Sequence, residues 1–305
     1  MKLFLTGATG FIGSHIARNL CRNGHELVCM KRSHSSIARC LDFAESVVWV
    51  NVDDENWDTA VKRFAPEIFI HTAWSGVDYA NRDSFRKQLE NITFQQILLD
   101  LAVKVGAKKF VGFGSQAEYG TFSGCIDETY PAYPVSAYGV AKLASLNILK
   151  CFCEINKIKW YWLRQFPCFG EHEGEQWLIP SAIKSMLAGT EMDFTPGEQR
   201  YSYMYVEEIA SVVEKLITSD VEEGVYNISS SRSISIKNLL EKLQLMVNPK
   251  FKLNFGALPY RSGQSMWMQG NNRKISEAVG AVIDVANFDI QLKQTVVFYK
   301  KKYEQ

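Results

Sequence analysis

Paired cysteines, metal-ligand spacing, an excess of either charge and long apolar runs are all missing from this 305-residue chain. Its seven cysteines include no Cys-x-x-Cys pair, and Cys151 and Cys153, two apart on an expected helix, point in different directions. The thiols therefore read as reduced and the compartment as cytoplasmic. Five histidines show no His-Glu-x-x-His or comparable spacing, so no metal is expected. With 34 lysines and arginines against 33 aspartates and glutamates, no basic field is offered to nucleic acid or a membrane surface. An anionic ligand must be met locally. No stretch is long enough to span a bilayer, and Gly7, Gly10 and Gly13 interrupt the short apolar start too early for a signal peptide.

Short apolar runs alternate with helical patterns through the first half of the chain, which is the signature of βαβ units and a parallel sheet. Strands are expected over Lys2–Leu5, Glu26–Lys31, Val47–Val50, Ile68–His71, Phe110–Phe113 and Lys159–Leu163. Helical spacing joins Ile12, Ile16 and Leu20, and again Phe85, Leu89, Ile92 and Leu99. Beyond Phe166 the alternation loosens around Pro167, Gly170, Gly174, Pro180, Pro196 and Gly197. A further helix is expected over Ser235–Val247, and an irregular stretch over Phe251–Gly270.

Directly after the first expected strand comes Thr6-Gly7-Ala8-Thr9-Gly10-Phe11-Ile12-Gly13. Glycines at that spacing, between a strand and a helix, let the backbone turn tightly and approach a pyrophosphate. The phosphate charge then meets the free N–H groups and positive dipole end of the helix, with Thr9, Phe11 and Ile12 lining the cradle. This predicts a Rossmann-like, doubly wound parallel α/β sheet. It is expected to fill residues 1–165, with later strands returning from about 198–229, and residues 166–305 mainly form a smaller C-terminal substrate-binding α/β lobe. At the end of the second strand, where an NAD site carries an acid for the ribose, the chain reads Lys31-Arg32-Ser33. These residues suit a 2′-phosphate, so NADP(H) is favoured, with NAD(H) the alternative. Asp53-Asp54 after the third strand is a candidate for the adenine amino group, or simply an acidic turn.

Tyr138 and Lys142 lie one helical turn apart on the same helix face, which brings an ammonium toward a phenol and favours the phenolate. Such a pair occurs often by accident, and its meaning depends on company. Ser115, in Gly114-Ser115-Gln116-Ala117-Glu118-Tyr119-Gly120, supplies that company from the end of the fifth strand, where an open parallel sheet binds its ligands.

In order and spacing, the glycine fingerprint, Ser115 before Tyr119-Gly120, and Tyr138-x-x-x-Lys142 resemble the extended short-chain dehydrogenase/reductases, which include nucleotide-sugar epimerases, dehydratases and reductases. The resemblance covers essentially the whole chain, and Asn91 matches a structural position of that family. It implies that Tyr138 exchanges a proton, Lys142 tunes the phenol and holds the nicotinamide ribose, and Ser115 orients the substrate. It also implies a homodimer built on the helices around residues 85–105 and 136–155.

Departures from the family pattern narrow the reaction. The Asp-Glu pair of the 4,6-dehydratases is here Gln116-Ala117, an amide and a methyl that cannot move protons, so dehydration is disfavoured and Glu118 reads as a structural acid. The Asn of the Arg-x-Phe-Asn segment is Pro167, and the usual Arg-Asp pair of a later segment is Tyr201-Ser202, with Arg200 one position early. Pro259-Tyr260-Arg261-Ser262-Gly263 resembles the loop from which the family brings an arginine to the substrate diphosphate. Gln116, Arg261, Trp74 and Trp177 complete the substrate candidates, although the aromatics are more often packing residues. The expectation is an NADP(H)-dependent reductase of a nucleotide-linked 4-keto-6-deoxyhexose; a 4-epimerase with retained NAD and a non-catalytic dinucleotide sensor are the rivals.

Overall fold

The computed structural model describes residues 1–78, 80–280 and 287–303. Strands β1 (Lys2–Thr6), β2 (Glu26–Lys31), β3 (Val48–Asn51), β4 (Ile68–His71), β5 (Lys109–Ser115), β6 (Lys159–Gln165) and β7 (Gly224–Ile228) form one parallel sheet. Their order is β3-β2-β1-β4-β5-β6-β7, so the order reverses between β1 and β4, where a doubly wound sheet opens its ligand crevice. The central strands are apolar on both faces because helices cover both, as parallel strands require.

Helix α1 (Phe11–Arg22) buries Ile16, Ala17 and Leu20 against one face, joined there by α6 (Val206–Thr218). The other face is covered by α2 (Trp57–Phe64), α3 (Phe85–Lys104) and α4 (Ala137–Asn156), through Val61, Leu98, Leu99, Leu146, Leu149 and Cys153. A separate apolar core joins α5 (Leu178–Ala188), α7 (Ile236–Val247) and α8 (Phe288–Tyr303) around Phe169, Ile183, Leu240 and Tyr299. The return of residues 224–228 to the edge of the main sheet ties the later half of the chain to the first.

Several boundaries differ from the sequence expectation. β5 runs to Ser115 because its ladder with β6 continues as far as Ser115↔Gln165, beyond the apolar alternation. β3 begins at Val48 and α7 begins at Ile236, with the Ser235 hydroxyl accepting the N–H of Asn238 as a cap. The stretch 251–270 is not irregular throughout. Trp267–Gly270 pairs with Gly124–Ile126 and Arg200–Tyr201, and Asn254–Phe255 pairs with Asp193–Phe194. Those partners lie far away in sequence, which is why local patterning does not reveal them.

Candidate active site

The turn after β1 can be built only with glycine at two points. A Cβ on Gly7, whose φ is +76°, would lie 2.4 Å from Thr72 Oγ1, and one on Gly13 would lie 2.1 Å from the Gly7 carbonyl oxygen. Gly10, the N-cap of α1, has no side chain to occupy the first N–H groups of the helix. Close backbone approach and a free positive helix end together fit the pyrophosphate of a dinucleotide. Thr9 contributes its carbonyl to Arg39 Nη1 at 3.3 Å, and the Phe11 ring stands edge-on to His15, so the half-buried cradle is braced from outside. Ile12 packs against the core beneath.

At the end of β2, Lys31 is half-buried, while Arg32 and Ser33 are exposed. Arg32 Nη2 donates to Ser75 Oγ at 2.7 Å, which aims the guanidinium across the crevice. The sequence has no acid at this strand end, yet the fold delivers one: Asp53 Oδ2 accepts the Ser33 backbone N–H at 2.7 Å. That N–H holds the exposed Asp53 carboxyl below its usual range. Asp54 is engaged instead by Asn51 Nδ2 at 2.9 Å. The β2–β3 register, Lys31↔Asn51, brings these turns together, and no local pattern discloses that pairing.

Ser115, at the end of β5, opens a short 3₁₀ turn over Gln116–Tyr119, and its hydroxyl accepts the Ala117 N–H at 3.2 Å. Glu118 reaches back so that its Oε1 accepts the Ser115 N–H at 2.8 Å, completing a capping box. Glu118 is fully buried, accepts Trp162 Nε1–H at 2.9 Å and pairs with Arg164 Nε at 2.8 Å. Its role is structural anchoring of the turn that carries Ser115.

The first turn of α4 is fixed by the Ser136 hydroxyl accepting Gly139 N–H at 3.1 Å and by Asp83 accepting Ala137 N–H at 3.1 Å. Tyr138 then lies beside Ser115, and the Arg82 guanidinium carbon sits 4.8 Å from its ring centroid. Burial nevertheless raises the Tyr138 pKa, with the Ser115 side chain and the Arg82 charge opposing. Buried Lys142 donates to the Phe113 carbonyl oxygen at 2.5 Å, and burial lowers its pKa to about 7 against the pull of Glu118.

This corrects the expectation that Lys142 depresses the phenol. Its ammonium meets the Phe113 carbonyl and the faces of Trp74 and Tyr138, and burial outweighs the opposing Arg82 charge at the phenol.

Trp74 joins this cluster, its ring edge-to-face with Tyr138 at 6.2 Å and its face 3.6 Å from Lys142 Nζ. Gln116 is half-buried at the start of the 3₁₀ turn. Arg261 lies on an exposed loop, where its N–H donates to Gln264 Oε1 at 3.2 Å and Gln264 Nε2 donates to the Tyr201 hydroxyl at 3.1 Å. The same loop touches Thr121, just past the Ser115 turn, through a 3.4 Å bond to the Gly263 carbonyl. Trp177 is the N-cap of α5 and 42 % exposed. Arg82 and Gln88 belong to the site but escaped sequence reasoning; the surrounding stretch carries no motif, and the helical spacing of Phe85, Leu89, Ile92 and Leu99 marks the helix without singling out these two side chains.

No cluster of histidine, cysteine, aspartate and glutamate fit to hold a metal occurs among the described residues, and all seven cysteines are free. Among those residues no helix is long and apolar enough to cross a membrane.

Residues 3–229 match the model of the NAD dependent epimerase/dehydratase family. A dTDP-6-deoxy-L-talose 4-dehydrogenase (NAD(+)) of Aggregatibacter actinomycetemcomitans is 24% identical over 275 residues, covering 88% of this chain and 99% of the relative. A CDP-abequose synthase of Salmonella muenchen is 24% identical over 277 residues, covering 88% and 89%. The fold superposes on a Bacillus cereus UDP-glucuronic acid 4-epimerase in complex with UDP-glucuronic acid and NAD, with a TM-score of 0.88, 22% identity and coverage of 99% and 100% of the two chains. With its phosphate cradle and its serine, tyrosine and lysine gathered at the strand ends, the chain belongs to the NAD dependent epimerase/dehydratase family, as a nicotinamide-dependent enzyme of the extended short-chain dehydrogenase/reductase type.

Proposed function

We propose that the protein is a cytoplasmic, NADP(H)-dependent reductase of a nucleotide-linked 4-keto-6-deoxyhexose. The observation that carries this reading is the pairing of Ser115 with a Tyr138 whose phenol burial keeps protonated, beside Gln116 and Ala117 in place of proton-moving acids. A protonated phenol next to a hydroxyl is equipped to donate to a carbonyl oxygen, and nothing beside it is equipped to eliminate water. The two curated relatives, by name a deoxysugar 4-dehydrogenase and a CDP-abequose synthase, lend support.

When bound, the nicotinamide supplies the hydride. Ser115 orients the substrate oxygen, Tyr138 gives that oxygen its proton, and Lys142 holds the nicotinamide ribose. A panel of keto-sugar nucleotides offered with NADPH or NADH tests the reading, and stoichiometric cofactor oxidation is expected. Turnover with no net cofactor change would establish instead the second reading, an NAD-dependent 4-epimerase. That alternative draws on the Asp53 carboxylate beside Ser33, which a 2′-phosphate would have to displace.

Replacing Lys31 and Arg32 together by alanine should weaken NADPH at least about tenfold more than NADH, because only NADPH has a 2′-phosphate for a charge-assisted bond. Titration of both cofactors checks this, and equal losses would assign the site to NAD(H).

Arg261 is the proposed contact to the substrate diphosphate, since a planar guanidinium suits phosphate oxygens. Arg261→Ala should raise KM for the sugar nucleotide roughly 10- to 100-fold with cofactor affinity unchanged, and Arg261→Lys should restore only part. If a free keto-sugar reacts as well as its nucleotide form, the nucleotide-sugar reading fails.

We propose a homodimer through α3 and α4. Phe85, Leu89, Ile97 and Val103 on α3, and Val140 and Ile155 on α4, are at least 40% exposed, more apolar surface than a solvated helix pair carries by chance. Sedimentation at micromolar concentration should give twice the chain mass; a monomeric mass would refute it.

A further inference from the structure

The indole of Trp74 is held in place from two sides. Its Nε1–H donates to Gln88 Oε1 at 2.8 Å, and Gln88 Nε2 donates in turn to the Gly76 carbonyl at 2.9 Å. Gln88 is itself buried. Three residues along α3, Asn91 accepts the Ser75 N–H at 2.8 Å and donates to the Ser75 carbonyl at 3.0 Å, so the backbone on which Trp74 stands is clamped as well. The face of this ring lies 3.6 Å from Lys142 Nζ and its plane stands at 90° to the Tyr138 ring. Such investment in one side chain exceeds what filling a gap requires.

We propose that Trp74, latched by Gln88, is a positioning residue that caps the Lys142 ammonium against water and sets the Tyr138 ring beside Ser115. The proposal rests on the reading of Lys142 as the group that meets the nicotinamide ribose. An ammonium shared between one carbonyl and an aromatic face is poorly solvated; the cation–π attraction of about 2 kcal/mol returns only part of the hydration it gives up. Water admitted to Nζ would therefore favour the charged form. The titratable groups facing this ammonium are His71 at the end of β4, Glu118 in the turn after β5, and Tyr138 on its own helix. Burial pushes His71 down to about 3 and Tyr138 up, and the Glu118 carboxylate lies 2.8 Å from Arg164 Nε on β6. A transition near neutral pH belongs to Lys142, whose charge is lost as pH rises through about 7.

The test is cofactor binding followed by nicotinamide fluorescence from pH 6 to 10, which needs no substrate. In the wild type, affinity should fall about tenfold as the ammonium loses its proton, the worth of one charge-assisted hydrogen bond. Trp74→Ala should move that midpoint up by about one pH unit or more, toward the ordinary lysine range. Trp74→Phe, which keeps a ring over Nζ, should return it to near the wild-type position. Gln88→Leu, which frees the indole without removing it, should move it part of the way. A purely structural role would lower thermal stability in all three variants and leave the midpoint fixed, and that result overturns the cap. A transition that persists unchanged in Lys142→Met would overturn the assignment of Lys142 beneath it.

Discussion

Tyr138→Phe should lower turnover by roughly 10²- to 10⁴-fold while cofactor binding survives, the range expected for loss of one positioned acid or base. The substitution removes one oxygen and leaves the ring in its edge-to-face contact with Trp74 and under the Arg82 guanidinium, so the fold should not change. Steady-state kinetics with the preferred keto-sugar nucleotide, beside a cofactor titration, checks both halves. The pH behaviour should be asymmetric. Because burial holds the phenol above its ordinary pKa, the acid form prevails at neutral pH and reduction should not be limited by this group below that value. Oxidation needs the phenolate, and its rate should climb with pH across the same range. Turnover near that of the wild type would remove Tyr138 from the proton-transfer role.

The phosphate cradle and the Ser115–Tyr138–Lys142 trio could be found in the sequence because each depends on local geometry: glycine spacing between a strand and a helix, one helical turn, one strand end. The family resemblance then joined them, and the parallel sheet with its helices on both faces follows from alternation alone. What escaped depends on register between distant segments. Asp53 reaches Ser33 only because β2 and β3 pair as they do, and Trp267–Gly270 becomes a strand only beside Gly124–Ile126 and Arg200–Tyr201. The direction of the Tyr138 shift was missed for a related reason. Spacing shows that Lys142 faces the phenol, but not that Phe113 and Trp74 already claim its ammonium.

Glu118 illustrates how far the site extends beyond its reacting groups. Its carboxylate accepts hydrogen bonds from Ser115 N–H, Trp162 Nε1 and Arg164 Nε, drawing β5, β6 and the 3₁₀ turn onto one fully buried anion. Arg164 is buried in turn, its guanidinium carbon 4.3 Å from the Tyr119 ring centroid, and Tyr119 donates to Asn227 Oδ1 at 2.7 Å. Desolvation makes such a pair costly to break rather than strongly stabilising in itself. Glu118→Leu should therefore destabilise the protein by about 3–5 kcal/mol, a fall of roughly 5–8 °C in Tm for a chain of this size, because it strands a buried guanidinium. Adding Arg164→Met should recover much of that loss, since two apolar side chains then replace two charges. Activity should not return with it. The Ser115 N–H still lacks its acceptor in the double variant, so the turn that aims the serine hydroxyl at Tyr138 stays loose. Thermal melts and kcat measured on both variants separate the two effects, and a double variant that regains full kcat along with stability would show that Glu118 serves the fold alone.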